Sequence, residues 1–248
     1  MMSELGFESS RLKICSMRLK RFRLYLASVS MILNIDTAVQ TSSISLSENG
    51  KALGVKSNPS QKDSSAWLHV AINELLQEHQ LTVQNLSAVA VSEGPGSYTG
   101  LRVGMATAKG LCYVAQKPLI TINTLQMMAV AAQNESTDLI CPMIDARRME
   151  VFTAVFDHDL NFVLPSTNTV LNENSFSELL ELHTITFFGN GSSKFQELTR
   201  HPNAIFKSFE INALLIISLS NQKFITQEFA NLAYSQPFYG KDFYSLAK

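Results

Sequence analysis

A spaced set of glycines is the first place in this 248-residue chain where chemistry could sit: Gly94-x-Gly96-x-x-x-Gly100, with Ser97 inside it and Arg102 just beyond. A glycine-rich turn between a strand and a helix can present backbone amides to a phosphate. The spacing is neither GxGxxG nor GxxxxGK[ST], and Leu101 and Arg102 stand where a P-loop has Lys and Ser/Thr. Asp36 closes the apolar run Met31 to Ile35 and is followed by Thr37-Ala38-Val39-Gln40 with no glycine, so a carboxylate capping its own turn is one reading. Arg147 and Arg148 sit between two apolar runs, either as solvated turn residues or as contacts for phosphate or RNA. His69, His79, His158, His183 and His201 never fall into HExxH or HxxxH, so their spacing offers no zinc site.

Composition narrows the classes. With 46% hydrophobic residues, the chain can bury the core of one large domain or two lobes. A formal net charge of -1 does not suit a protein that grips nucleic acid alone, so any RNA grip would come largely from a partner. Cys15, Cys112 and Cys141 are odd in number, widely separated and form no CxxC pair, which argues against a disulfide framework and a cysteine zinc site and points to the cytoplasm. Residues 1–30 carry a basic run before an apolar one, but no small-residue cleavage site follows, and Met31 to Asp36 reads as a first strand. The extension is left without assigned structure, as disordered chain or a misplaced start.

The elements that must position these residues follow from pattern. Ile32 to Asp36, Ser42 to Leu46 and Ala52 to Val55 read as three antiparallel strands, the last two joined by the hairpin signal Asn49-Gly50. Leu68, Ile72, Leu75 and Leu76 share one face of a helix from about Ser64 to Gln80. Leu86 to Val91 is a strand, and Ser97 or Thr99 caps a helix to about Gln116. In that helix Gly100, Gly104 and Ala108 recur every four residues, with Ala106 and Gly110 one strip over. So many small residues imply close approach of another backbone, either the chain's own sheet or a second protein. A strand follows over Pro118 to Ile122, and Asn123 with Gln126 has capping-box spacing.

A second unit is predicted from Leu139, with strands Leu139 to Asp145 and Glu150 to Phe156 around the arginine turn. Ser175-Phe176-Ser177-Glu178 has capping-box spacing for a helix through Leu182; Ile185 to Phe188 is a strand; Gly189-Asn190-Gly191 is a turn, with Ser192 or Ser193 capping the next helix. Leu214 to Leu219 is helix or strand, and residues 224–234 are predicted as a further weak helix. The resulting division is 1–30, 31–134 and 135–248, the last segment returning to the first lobe.

The block Ser92-Glu93-Gly94-Pro95-Gly96-Ser97-Tyr98-Thr99-Gly100-Leu101-Arg102-Val103-Gly104, with Ala108-Lys109-Gly110-Leu111 after it, closely resembles the TsaB (YeaZ) family. Asp145-Ala146-Arg147-Arg148-Met149-Glu150-Val151-Phe152 is close to a second block of that family, and Pro237-Phe238-Tyr239 resembles its terminal Pro-x-Tyr segment, with Lys241 near the usual Arg. The resemblance implies an α/β, two-lobed actin-like ATPase/sugar kinase fold with mixed sheets and flanking helices. In such relatives a carboxylate at the Asp36 position helps hold Mg²⁺ under nucleotide phosphates. The catalytic paralogue, TsaD, carries two metal-ligating histidines where this chain reads Asn123-Thr124-Leu125-Gln126-Met127-Met128. By resemblance, then, the chain has no metal, catalytic residue or cofactor of its own.

The implied role is a non-catalytic subunit that binds and activates TsaD for threonylcarbamoyl transfer to tRNA adenosine, with the ATPase TsaE as third component. It would reach tRNA through the complex, with ATP or ADP at the subunit interface, or pair as a homodimer when alone, and no membrane is involved. The expected partner interface is Trp67, Leu68, Ile72, Leu75, Gly100, Leu101, Gly104, Met105 and Ala108. Candidate nucleotide or RNA contacts are Asp36, Gly94, Gly96, Ser97, Arg102, Arg147 and Arg148. The rival reading is an ATP-dependent phosphotransferase or ATPase using Asp36 and the Gly94 to Gly96 turn. A glycopeptidase has no Ser-His-Asp or metal constellation to support it.

Overall fold

The computed structural model describes residues 29–58, 64–134 and 137–240. The expectations for residues 1–28 and for Lys241 lie outside them. The first sheet has the order β3-β2-β1-β4-β5, from β1 (Met31–Asp36), β2 (Ser42–Glu48), β3 (Lys51–Asn58), β4 (Ala88–Gly94) and β5 (Leu119–Asn123). β1 pairs antiparallel with β2 and parallel with β4, because the helices α1 (Ser64–Glu78) and α2 (Tyr98–Ala115) supply the crossovers that parallel strands need. The Asn49-Gly50 turn has φ of 51° and 75°, the left-handed pair a tight hairpin requires.

The second sheet repeats this plan. β6 (Leu139–Asp145), β7 (Glu150–Phe156) and β8 (Phe162–Val170) form a meander, and β9 (Ile185–Phe188) and β10 (Ala204–Phe206) add in parallel beyond β6. Read as β8-β7-β6-β9-β10, the order matches that of the first sheet, and together they make the two-lobed actin-like arrangement. α3 (Thr124–Val130) lies between the sheets, while α4 (Ser177–Leu182) and α5 (Ser192–Leu198) cover the far face of the second.

Several local expectations are corrected. The Ser175 capping box does not form: Ser175 Oγ accepts from Asn172 N, and the position before α4 is Phe176 at φ 62° with no side-chain cap. Neither Ser192 nor Ser193 caps α5, because the Ser192 hydroxyl donates to the Gly189 carbonyl and Gly191 occupies the cap position. The run from Leu214 is a helix, α6 (Ile216–Thr226), but the further helix expected over 224–234 is absent: α6 takes 224–226 and no helix covers 227–234. α6 stops at Gln227 in the left-handed region, and the chain then donates Ala230 N to Leu119 O.

From there the tail runs along α2 and back to the first lobe. Lys109 Nζ donates to the Ala233 and Ser235 carbonyls, and Phe238 N donates to Glu93 O. Lobe two is also tied to lobe one by Ser43 and Ser45, which bond the amide and carbonyl of Ala213, and by Ser220 Oγ, which donates to buried Asn34.

The spaced glycines are explained by this packing. A Cβ at Gly94 would overlap the Phe238 carbonyl oxygen; at Gly96, that of Ala38; at Gly100, that of Thr37; and at Gly104, the Thr37 hydroxyl. Glycine is therefore required at each for close passage of the chain's own loop 37–38 and tail. Asp36, at the head of that loop, is fully buried; its Oδ1 accepts from Ala38 N at 3.0 Å and from Ser92 Oγ at 2.6 Å. Its Oδ2 has no hydrogen-bond partner among the described residues. Burial is the largest influence and pushes the carboxyl from 3.8 up to about 6, against the lowering effect of those two bonds.

Two predictions follow from this packing. Gly100→Ala should lower stability by about 2 kcal/mol through overpacking, whereas Gly110→Ala, whose Cβ would meet nothing within 4 Å among the described residues beyond its own helix, should raise it by up to about 1 kcal/mol; urea unfolding reads both. For Asp36, the folded protein holds a proton between pH 3.8 and about 6 that the unfolded chain releases. Its contribution to stability is thus present below that window and lost as pH rises through it, by about 3 kcal/mol. Asp36→Asn should abolish that part of the fall, seen as a difference between wild-type and variant unfolding curves taken from pH 4 to 7.

Candidate functional site

The predicted partner face turns inward. Leu68, Ile72 and Leu75 of α1, and Leu101, Gly104, Met105 and Ala108 of α2, are buried against the first sheet with Leu33, Ile35, Val89 and Val91. Trp67 is half-buried on the same core, and Gly100 is pressed on Thr37. The expectation that these nine residues form an exposed docking surface is therefore corrected for seven of them, which the chain's own sheet and loop cover, while Trp67 and Gly100 stay partly exposed.

What faces solvent is the opposite side of the same two helices. Ala106 and Gly110 lie exposed along the middle of α2, with Tyr113 at 78% and Val114 at 71% exposure at its C-terminal end and Val70 of α1 at 57%. The signal for this strip was in the sequence, since Ala106 and Gly110 recur beside the inward set. Which of two adjoining strips faced the sheet was not legible from spacing alone. Ser97 caps α2 by accepting from Gly100 N at 3.3 Å. Arg102 rises on the tail side of the helix, its guanidinium 4.1 Å above the Tyr98 ring and its Nε donating to Tyr239 Oη at 3.0 Å. A phenol hydroxyl and two aromatic faces thus hold this cation against the tail.

The glycine turn is not an open phosphate cradle. Gly94 N donates to Thr124 Oγ1, Ser97 N to Ala38 O, and Gly100 N to Ser97 Oγ. Carbonyl oxygens, which repel phosphate, lie against Gly94 and Gly96. Asp36 is sealed beneath the same loop, so Asp36, Gly94 and Gly96, expected as nucleotide or RNA contacts, are packed against the chain's own loop and tail. A separate cavity of about 450 Å³ opens between the lobes, lined by Val39, Gln40, Met128, Asn190, Lys207 and Phe209 among others. Fully buried Asp36 does not line it.

Arg147 and Arg148 stand exposed at the tip of the β6–β7 turn, closed by Ala146 N to Glu150 O and Glu150 N to Arg147 O, each 3.1 Å. Both are left-handed, at φ 68° and 49°. For residues with a Cβ that conformation costs about 1–2 kcal/mol each. Asp145 anchors the turn, its Oδ1 accepting from Arg147 N and from Lys194 Nζ, both at 2.6 Å; the Lys194 bond first and the Arg147 amide in support hold its pKa below the usual value.

Comparison with known proteins gives this geometry a lineage. The family described as "TsaD: tRNA N6-adenosine threonylcarbamoyltransferase" matches residues 38–239. The Bacillus subtilis protein named tRNA threonylcarbamoyladenosine biosynthesis protein TsaB is 30% identical over 172 residues, 67% of this chain and 74% of its own length. The Escherichia coli protein of the same name is 32% identical over 52% of this chain and 56% of its own length. Among solved structures, YeaZ from Pseudomonas aeruginosa superimposes with a TM-score of 0.70 at 22% identity, covering 85% of this chain and 99% of that one. A second Pseudomonas aeruginosa structure, described as similar to peptidase YEAZ, reaches 0.74 at 23% identity over 86% of this chain and 100% of its own. At that identity the structural likeness speaks for the fold. Taken with the sequence matches, it shows that this chain belongs to the TsaB (YeaZ) group of the glycoprotease-like family.

Proposed function

We propose that the chain is a non-catalytic subunit of a tRNA threonylcarbamoyladenosine-forming complex, docking on a TsaD-type threonylcarbamoyltransferase through the outward strip of α2 and the adjoining edge of α1. The observation that carries this reading is Gly110. It lies inside a helix of 18 residues and is exposed, and a Cβ there would meet nothing within 4 Å among the described residues beyond its own helix, unlike one at Gly100 or Gly104. A glycine there costs about 1 kcal/mol relative to alanine with no return from the chain's own packing. A second helix crossing at Ala106 and Gly110 would supply that return, with Val70, Tyr113 and Val114 as its apolar margin.

Support from relatives lies in the names of the Bacillus subtilis and Escherichia coli proteins and in the TsaD family match. On this reading the subunit shapes its partner's site, and tRNA, the ATPase TsaE and any ATP or ADP at the boundary belong to the assembly. The rival phosphotransferase reading lacks its tools here, since the carboxylate is buried and the glycines face carbonyls.

Gly110→Met tests the reading with opposite signs on fold and assembly. Unfolding stability should hold or rise by up to about 1 kcal/mol, while co-purification with the TsaD homologue from the same cell should fall at least tenfold. Undiminished co-purification at unchanged stability would place the docking face elsewhere.

A further inference from the structure

Two successive left-handed residues at a tight turn are normally asparagine or glycine, which take that backbone most readily. This turn has Arg147 and Arg148; among the described residues neither guanidinium makes a hydrogen bond or ion pair, and Arg147 has only a through-space attraction to Asp145. Packing therefore does not account for the choice. The carboxylates of the hairpin are tied down at its base: Asp145 binds Lys194 at 2.6 Å, and Glu150 Oε2 accepts from Asn168 Nδ2 at 2.6 Å. Positive charge is left outermost at the tip, on a chain whose formal net charge is -1.

We infer that the β6–β7 turn is this chain's own contact with an RNA phosphate backbone, made by Arg147 and Arg148. The inference rests on the reading that the chain works on tRNA. A guanidinium fork matches the oxygens of a phosphodiester, and two on a convex tip suit adjacent phosphates of a polyanion. A free nucleotide phosphate would want a concave, enclosing site instead. The turn also sits at the strand ends that frame the cleft between the lobes, since Asp145 N donates at 2.9 Å to Asn190 Oδ1, a residue lining that cavity. Strain held at an exposed cationic tip is a cost that binding can offset. On a near-neutral protein, RNA contact must be local in this way rather than spread over a basic face.

The test replaces the tip with the residues its backbone prefers, Arg147→Asn with Arg148→Gly, and measures thermal stability and binding of labelled total tRNA. Binding is followed from 50 to 200 mM salt, on the chain with its co-purified TsaD homologue and on the chain alone. The variant should be as stable as wild type or more so, bind tRNA at least fivefold more weakly, and show a log–log salt slope shallower by about 1.5, the share of two phosphates. Millimolar ATP should leave that difference in place. Equal affinity and slope for variant and wild type in both preparations overturns the inference, as does loss of the difference on adding ATP, which would assign the turn to nucleotide phosphate. If the TsaD homologue never co-purifies, the functional reading fails by itself, and the turn is judged on the chain alone at 50 mM salt.

Discussion

Four glycines spaced along the β4–α2 junction let three of the chain's own carbonyls and the Thr37 hydroxyl pass where side chains would stand, and the rest of the molecule hangs on that approach. Loop 37–38 reaches the first turns of α2 at Gly96, Gly100 and Gly104, and the returning tail reaches the junction at Gly94. The contact fixes how α2 lies on the sheet, seals Asp36 away from water, and joins the end of the chain to the first lobe through Phe238 and Glu93. A motif that looks like a phosphate cradle when written out is thus a seam between backbone segments. Its amides are spent on Thr124, Ala38 and Ser97.

The same helix separates two meanings of a small residue. On the inner strip, each glycine has a neighbour in the chain that explains it. On the outer strip, Gly110 has none among the described residues, and Ala106 beside it is exposed. Helix propensity would favour alanine at such a position, so the outer glycine points to a contact the isolated chain does not contain. The arginine turn poses a similar question in backbone terms, with an unfavourable conformation and, among the described residues, no hydrogen bond or ion pair from either guanidinium. Both features lie outside the core and outside the buried loop.

Much of the fold was legible because its rules are local. Asn49-Gly50 set a hairpin, Ser97 and Asn123 capped their helices, and the apolar runs of β1, β4, β6 and β9 lie where pattern placed them. β8 and β10 escaped because one mixes Pro165 with exposed polar residues and the other has three residues. The caps at Ser175 and Ser192 failed because those hydroxyls found other partners nearby. The docking face was misplaced for a different reason. Periodicity shows that Leu68, Ile72, Met105 and Ala108 share a side, and a greasy side serves an internal sheet as well as a partner. Only the position of the sheet decides between them.

The claim at the centre of this account is that the outward strip of α2, with the adjoining edge of α1, carries the partner. Tyr113, exposed and one turn from Gly110, can be replaced by a photo-cross-linking phenylalanine with little change in shape. Irradiated in the native cell, that position should yield one dominant adduct containing the TsaD homologue, identified by mass spectrometry. If position 113 gives no such adduct while the same label at Leu182, exposed on the second lobe, captures that protein, the account is contradicted.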